Sequence, residues 1–223
     1  MIPFPEIRAV TFDVGGTLMA PWPSVGAVYA GAAARHGVKN LSAEILNRQF
    51  DEIWRAKRNF DHSRGAWKKL VTATFAGLLK PSEILFQDLY QTFAEPESWR
   101  IFDDVRPALE RLTQRGLKLG VISNWDERLR PLLHVMGLAH FFSVIVISCE
   151  FGCAKPSPAI FQRAAELLEL PARSVLHVGD SRKDDLQGAQ VVGMAGLVVQ
   201  RNGITEDEEI SSLQELALRL KPD

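Results

Sequence analysis

The stretch "AVTFDVGGTL", residues 9–18, carries an apolar run into a single aspartate, Asp13, and then into a glycine-rich turn that ends at Thr17 and Leu18. That is the form of a buried strand opening onto a loop. Four later runs have the same form: "LKLGVIS" at 117–123, "SVIVIS" at 143–148, "SVLHVGD" at 174–180 and "AGLVVQ" at 195–200. None alternates cleanly between apolar and polar residues, as expected for strands covered on both faces of a parallel sheet. Helical patterns separate them. "DDVRPALERLTQRG" has an early proline and a closing glycine, and "SPAIFQRAAELLEL" offers Ser157 as N-cap with Pro158 at the first helical position. Alternating strands and helices predict an α/β fold, a doubly wound parallel sheet with helices on both faces.

Residues 21–97 break this rhythm, with helical periodicity and no convincing strands. In "SAEILNRQFDEIWRAKRNF", Ile45, Leu46, Gln49, Phe50, Ile53 and Trp54 fall along one face. "WKKLVTATFAGLL" and "EILFQDLYQTF" repeat the pattern, and "SVGAVYAGAAARHG" reads as a further helix closed by Gly37. The organisation expected is an α/β core from 1–20 and 98–223, interrupted by a helical domain at 21–97. The stretch "ITEDEEISSLQELALRL" at 204–220 reads as a solvated loop followed by an amphipathic helix.

The 223 residues carry 26 Lys and Arg against 27 Asp and Glu, so net charge gives no reason to expect nucleic acid or an anionic membrane as partner. No apolar run approaches the length of a membrane span, and "MIPFPEIRAV" lacks the pattern of a secretory signal, so a cytoplasmic location is expected. Cys149 and Cys153 are too few for a disulfide framework and lack zinc-site spacing. The basic and aromatic run from Trp54 to Lys69 has the elements of a nucleic-acid surface, but its regular apolar spacing fits a helix with a solvated face better.

In a parallel sheet, ligands bind beyond the carboxyl ends of the strands. Here those ends hold Asp13, then Ser123 and Asn124, then Lys155 in "CAKPSP", then Asp180 in "VGDSRKDD". This set suits phosphoryl chemistry. A carboxylate can attack phosphorus and form an aspartyl phosphate. Asp13 and Asp180 are hard oxygen ligands of the kind Mg²⁺ prefers, while Ser123 and Lys155 can neutralise phosphate oxygens. The glycines of "VGGT" leave room for backbone N–H groups to approach a phosphate.

The pieces "FDVGGTL", "GVISNWD", "CAKPSPAIF" and "VGDSRKDDLQGAQVVGM", in this order and spacing, resemble the haloacid dehalogenase-like (HAD) hydrolase superfamily, in the subgroup with a helical cap inserted after the first motif. The resemblance implies a Rossmann-like core with strand order five-four-one-two-three. It makes Asp13 the nucleophile and a metal ligand, with the Gly15 main-chain carbonyl and Asp180 completing the protein ligands of Mg²⁺. Asp185 then supports the metal shell and orients Lys155. Asp184 stands where many relatives carry Asn. Ser123, Asn124 and Lys155, with Gly16 and Thr17 of the first loop, become the phosphate site. The implied substrate is a small phosphorylated metabolite.

Gly15 departs from the pattern. Phosphatases of the superfamily place there an aspartate that protonates the leaving oxygen, and dehalogenases a tyrosine. General acid–base assistance is worth roughly 10²–10⁴-fold, so its loss weakens turnover most for poor leaving groups such as alkoxides. One alternative is a non-catalytic or regulatory protein that binds a phosphorylated ligand or partner. Another is a C–P hydrolase that uses a cap lysine as a Schiff base, with Lys57, Lys68 and Lys69 in the right segment but no matching signature. Simpler structural roles also stand beside the functional ones. Asp184 and Asp185 can complement a helix N-terminus, Lys155 can be an ordinary loop lysine, and His177 reads as a satisfied core histidine. His62 and Arg64 sit at a helix junction from which they could reach substrate.

Overall fold

A computed structural model describes residues 7–57, 60–201, 203 and 206–220. Its strands are β1 (Ala9–Phe12), β2 (Met19–Pro21), β3 (Trp99–Ile101), β4 (Lys118–Ser123), β5 (Val144–Ile147), β6 (Val175–Gly179), β7 (Ala195–Val199) and β8 (Glu209–Ile210). β2 and β3 form a two-stranded ribbon, and the other six form one sheet in the order β5-β4-β1-β6-β7-β8. This differs from the expected five-four-one-two-three. The ribbon strands enter the count between β1 and β4, and β8 extends the sheet beyond β7. β8 also corrects the reading of its segment as loop, because two residues are too short a run to show a strand period.

The five pairings within the sheet are parallel, with Ala9 opposite both Lys118 and Val175 and Thr11 opposite both Gly120 and His177. β1 therefore lies centrally, and the chain leaves it toward β4 on one side and β6 on the other. Alternate residues face opposite layers. Ala9, Ile122, Val144, Val146 and Val175 pack with Ile160, Phe161 and Ala164 of the helix Pro158–Leu168 in one buried cluster. Ser157 is the N-cap of that helix by position, but its side chain caps nothing. Its hydroxyl receives the Cys153 thiol instead.

Two compact units emerge: Met1–Met19 with Ile101–Asp223, and Ala20–Arg100. The second contains α1 (Val25–Arg35), α2 (Ala43–Ala56), α3 (Arg64–Thr74) and α4 (Glu83–Thr92). Each begins at a serine, Ser24, Ser42, Ser63 and Ser82, whose hydroxyl accepts the N–H three residues on. Such a cap is worth about 1 kcal/mol and explains why these helices start where they do. The shared core contains Tyr29, Leu46, Phe75, Phe86 and Leu89. Of the α2 face read from the sequence, Leu46 is buried, whereas Ile45 is exposed. α1 and α2 approach so closely at Gly26 that a Cβ there would stand 2.0 Å from the Ala43 carbonyl oxygen.

Candidate active site

Asp13 directly follows the carboxyl end of the central strand β1, and its N–H still bonds the Val178 carbonyl of β6 at 2.9 Å. The loop then turns sharply. Gly16 N–H bonds the Met19 carbonyl at 2.9 Å, and Thr17 N–H bonds that of Val14 at 3.3 Å. Both N–H groups are thus bonded within the turn. Gly16 has φ of +75°, a left-handed value natural to glycine. Arg201 holds the loop from below, donating from Nη2 to the Thr17 carbonyl at 2.5 Å and from Nη1 to Asp104 at 2.9 Å.

The Asp13 carboxylate meets its neighbours through one oxygen. Oδ1 accepts from Ser123 Oγ at 3.0 Å and from Lys155 Nζ at 2.7 Å. Among the described residues no hydrogen bond reaches Oδ2, which leaves a lone-pair face for an electrophile or a cation. Lys155 is 6% exposed and spans two carboxylates, with Asp185 Oδ1 at 2.5 Å on its other side, so it is no ordinary loop lysine. The Asn124 side chain turns to the lysine's main chain. Its amide donates to the Lys155 carbonyl at 2.9 Å and accepts the Lys155 N–H at 2.7 Å, which fixes the lysine's backbone.

Asp185 lies in a π-helical turn, Arg182–Gln187, that opens from Ser181. Its Oδ2 accepts the Ser181 N–H at 3.0 Å, and its Oδ1 serves Lys155 and His177. Both Asp185 oxygens are thus bonded to neighbouring groups of the core. Asp184 occupies the same first turn, where its N–H bonds the Ser181 hydroxyl at 3.1 Å.

Two glycines make the carboxylate crowding sterically possible. A Cβ on Gly16 would stand 2.2 Å from Asp180 Oδ2, and one on Gly179 would stand 2.0 Å from Asp185 Cγ. Asp13, Asp180 and Asp185 consequently bring one oxygen each within 4.8 Å of one another. Three carboxylates face a single ammonium, and the hard oxygens and charge deficit both fit a divalent cation.

Electrostatics follow from that crowding. Burial pushes the Asp13 carboxyl above its ordinary value, with Asp185 adding to the rise and Lys155 opposing it. Asp180 keeps an exposed edge, yet surrounding protein and the charges of Asp13 and Asp185 push its pKa up to about 7. Burial would also raise Asp185, but Lys155 and His177 overcome it and hold the carboxyl well below the usual range. Burial would lower Lys155, and its two carboxylate partners instead hold it above its ordinary value. Burial depresses the His177 imidazole below its ordinary value, against the pull of Asp185.

Gly15 lies outside the left-handed region, so its backbone does not require glycine. A Cβ there would meet the Trp125 ring at 3.4 Å, an ordinary contact. In the insert, His62 packs edge-on against Phe60 at 4.9 Å, and Arg64 lies over Tyr90 at 4.9 Å. Lys57 sits 3.4 Å above the Trp54 ring, and Lys68 pairs with Glu83. Trp54 stacks on Phe50 and Trp67, so the aromatic part of the 54–69 run packs on itself; Arg58 and Asn59 lie outside the described residues. Cys149 and Cys153 are free thiols. Among the described residues no helix is long and apolar enough to cross a membrane. Thr11, Trp125 and the bonding of His177 to Asp185 were not visible as site features. Their only signal was a polar residue in an apolar strand, or a ring after "SN".

The haloacid dehalogenase-like hydrolase family matches residues 7–193. The chain is 35% identical to haloacid dehalogenase-like hydrolase domain-containing protein 3 of Danio rerio, over 96% of this chain and 97% of that one. It is 29% identical to a glyceraldehyde 3-phosphate phosphatase of Methanopyrus kandleri, over 87% of this chain and 84% of the relative. Among solved structures, a HAD phosphatase from Thermococcus onnurineus is similar with a TM-score of 0.70 and 27% identity, over 96% and 97% of the two chains. With strand ends, spacing and full-length similarity in agreement, this chain belongs to the haloacid dehalogenase-like hydrolases.

Proposed function

We propose that the chain is a Mg²⁺-dependent phosphohydrolase acting on a small phosphorylated metabolite through an aspartyl phosphate at Asp13. The observation that carries this reading is the Asp13 carboxylate itself, anchored through Oδ1 by Ser123 and Lys155 with Oδ2 left for reaction. The phosphatase names of the Methanopyrus and Thermococcus relatives support it.

Asp13, Asp180 and the Gly15 carbonyl would hold the cation, which when bound supplies positive charge to the crowded carboxylates and the substrate phosphate. Lys155 and Ser123 draw the phosphate oxygens toward Asp13, with Gly16 and Thr17 shaping the loop beside them. Asn124 serves by fixing Lys155, and Asp185 serves by orienting its ammonium, with Asp184 in the same turn. Asp13 Oδ2 attacks phosphorus, the bond from phosphorus to the leaving oxygen breaks, and that oxygen departs with the bonding pair. Water then attacks the phosphorus of the aspartyl phosphate, releasing phosphate and restoring the carboxylate. Because Gly15 offers no proton, leaving groups stable as anions are the best substrates: acyl phosphates first, aryl phosphates next, alkyl phosphates last. The core 1–20 and 98–223 does this chemistry, and the helical domain 21–97 selects the substrate. The reading places the protein in the cytoplasm, and the near-neutral charge balance gives no electrostatic reason for a nucleic-acid or membrane partner.

Gly15 also favours a second reading, a protein that binds a phosphorylated ligand without turning it over. Phosphate release from acetyl phosphate, p-nitrophenyl phosphate and glycerol phosphate, with Mg²⁺ and with chelator, separates the two. The expected result is release in that order of rate, lost in chelator and reduced at least ~10³-fold in Asp13→Asn. No release from any of the three by folded, Mg²⁺-binding protein overturns the phosphohydrolase and leaves the binding protein.

A further inference from the structure

Behind Asp13 lies a buried set of polar groups that the reaction does not itself require. Thr11 of β1 and His177 of β6 are register partners on adjacent strands, and both are fully buried. Thr11 Oγ1 lies 2.9 Å from His177 Nδ1, and His177 Nε2 lies 3.0 Å from Asp185 Oδ1. That same Oδ1 receives Lys155 Nζ, whose other bond is to Asp13.

The direction of each bond follows from the chemistry of the groups. An ionised carboxylate only accepts, so His177 must carry its proton on Nε2. Nδ1 of the neutral ring is then an acceptor, and the Thr11 hydroxyl supplies the donor. The other acceptor within reach of that hydroxyl, the Leu176 carbonyl, is farther away at 3.5 Å. Phe161 meets the imidazole edge-on at 5.1 Å and limits its rotation. A position that needed only packing would be filled by an apolar side chain, since each buried polar group must find a partner.

We propose that His177 is a positioning residue: by holding Asp185 Oδ1 it fixes the carboxylate that aims the Lys155 ammonium at Asp13, and Thr11 sets the tautomer that makes this possible. Without the imidazole, Asp185 keeps, among the described residues, the Ser181 N–H and Lys155 as side-chain partners and can rotate, taking the ammonium off line. The inference rests on the phosphohydrolase reading, because it concerns the same lysine and nucleophile.

The test uses the full chain with Mg²⁺ and p-nitrophenyl phosphate. His177→Phe, which removes the donor and keeps a ring, is expected to lower kcat about 10–100-fold, as loss of supporting partners around a site does. His177→Gln, which can donate from its amide, recovers most of that loss. Nitrogen-15 spectra of the histidine ring should show the neutral Nε2–H form. Thr11→Val shifts the ring toward the other tautomer and lowers kcat, although Thr11 bonds neither Lys155 nor Asp185, and Thr11→Ser restores both. His177→Phe that melts like the wild type and keeps kcat within about twofold overturns the proposal, as does a ring protonated on Nδ1 alone. If His177→Phe does not fold, the Thr11 pair decides, and equal kcat in Thr11→Val and Thr11→Ser overturns it. A wild type inert toward every phosphate sinks the phosphohydrolase reading instead, and the ring tautomer still tests the bonded set.

Discussion

In the core, Thr11, Asp13, Ser123, Lys155, His177 and Asp185 are buried and bonded to one another, whereas in the helical unit the ion pairs Arg35–Asp88 and Lys68–Glu83 lie largely in solvent. Burying charge costs stability unless each group is matched, and a well-packed apolar cluster would be at least as stable. The helical unit takes that apolar solution, with Tyr29, Leu46 and Phe75 at its centre and serine caps at its helix starts. The contrast teaches where function resides, because the core retains an arrangement that packing alone would not select.

Perturbing the buried charges should break the comparison most severely. Lys155→Met leaves Asp13 and Asp185 without their counter-charge, and is expected to cost about 3–5 kcal/mol in urea unfolding together with loss of phosphate release. A cost under about 1 kcal/mol would mean that the bonded set does not hold the core. In the helical unit, Leu46→Ala empties a fully buried site and should cost about 3 kcal/mol. Hydrogen exchange would place that loss within 20–100 if the unit opens by itself. Equal loss of protection in the sheet would show that both units open together.

Gly15→Asp sharpens the functional side. The backbone there does not require glycine and an added Cβ makes only ordinary contact with Trp125. Turnover of alkyl phosphates should rise by about 10²-fold, with little gain for acyl phosphates. An unchanged alkyl rate, in folded protein that still binds Mg²⁺, would remove the missing acid as the limit.

The smallest effect concerns Asp88, which the Arg35 guanidinium and then His36 hold below the usual carboxylate range. A depressed folded pKa gives stability that is present above the unfolded value of about 3.9 and is lost as pH falls through the folded value. Since Arg35 is half exposed, Asp88→Asn should cost no more than about 1 kcal/mol at pH 7. The difference in Tm between wild type and variant should shrink below about pH 4; a difference that persists at pH 2 would assign it to something other than charge.

The sheet was legible because its strands are apolar runs that end in residues of distinctive chemistry, and Asp13, Ser123, Lys155 and Asp185 do meet. β8 was not, since two residues cannot show a period and its buried Glu209 resembles the surrounding acidic loop. The bonds of the Asn124 amide to the Lys155 main chain were also hidden, because residue type alone does not show which backbone an amide meets. His177 was legible as a buried histidine with partners, but strand register alone brings Thr11 to it. Three-dimensional placement, rather than residue type, carried what was missing.

The spaces that Gly16 and Gly179 leave for Asp180 and Asp185 bear on how natural variation in this chain is interpreted. Neither glycine contributes a side chain to the chemistry, and Gly→Ala ranks among the mildest of exchanges by size. Here it drives a methyl group into a carboxylate. Alanine at either position is therefore expected to displace the carboxylate it meets, an effect that a score built on residue similarity would not register.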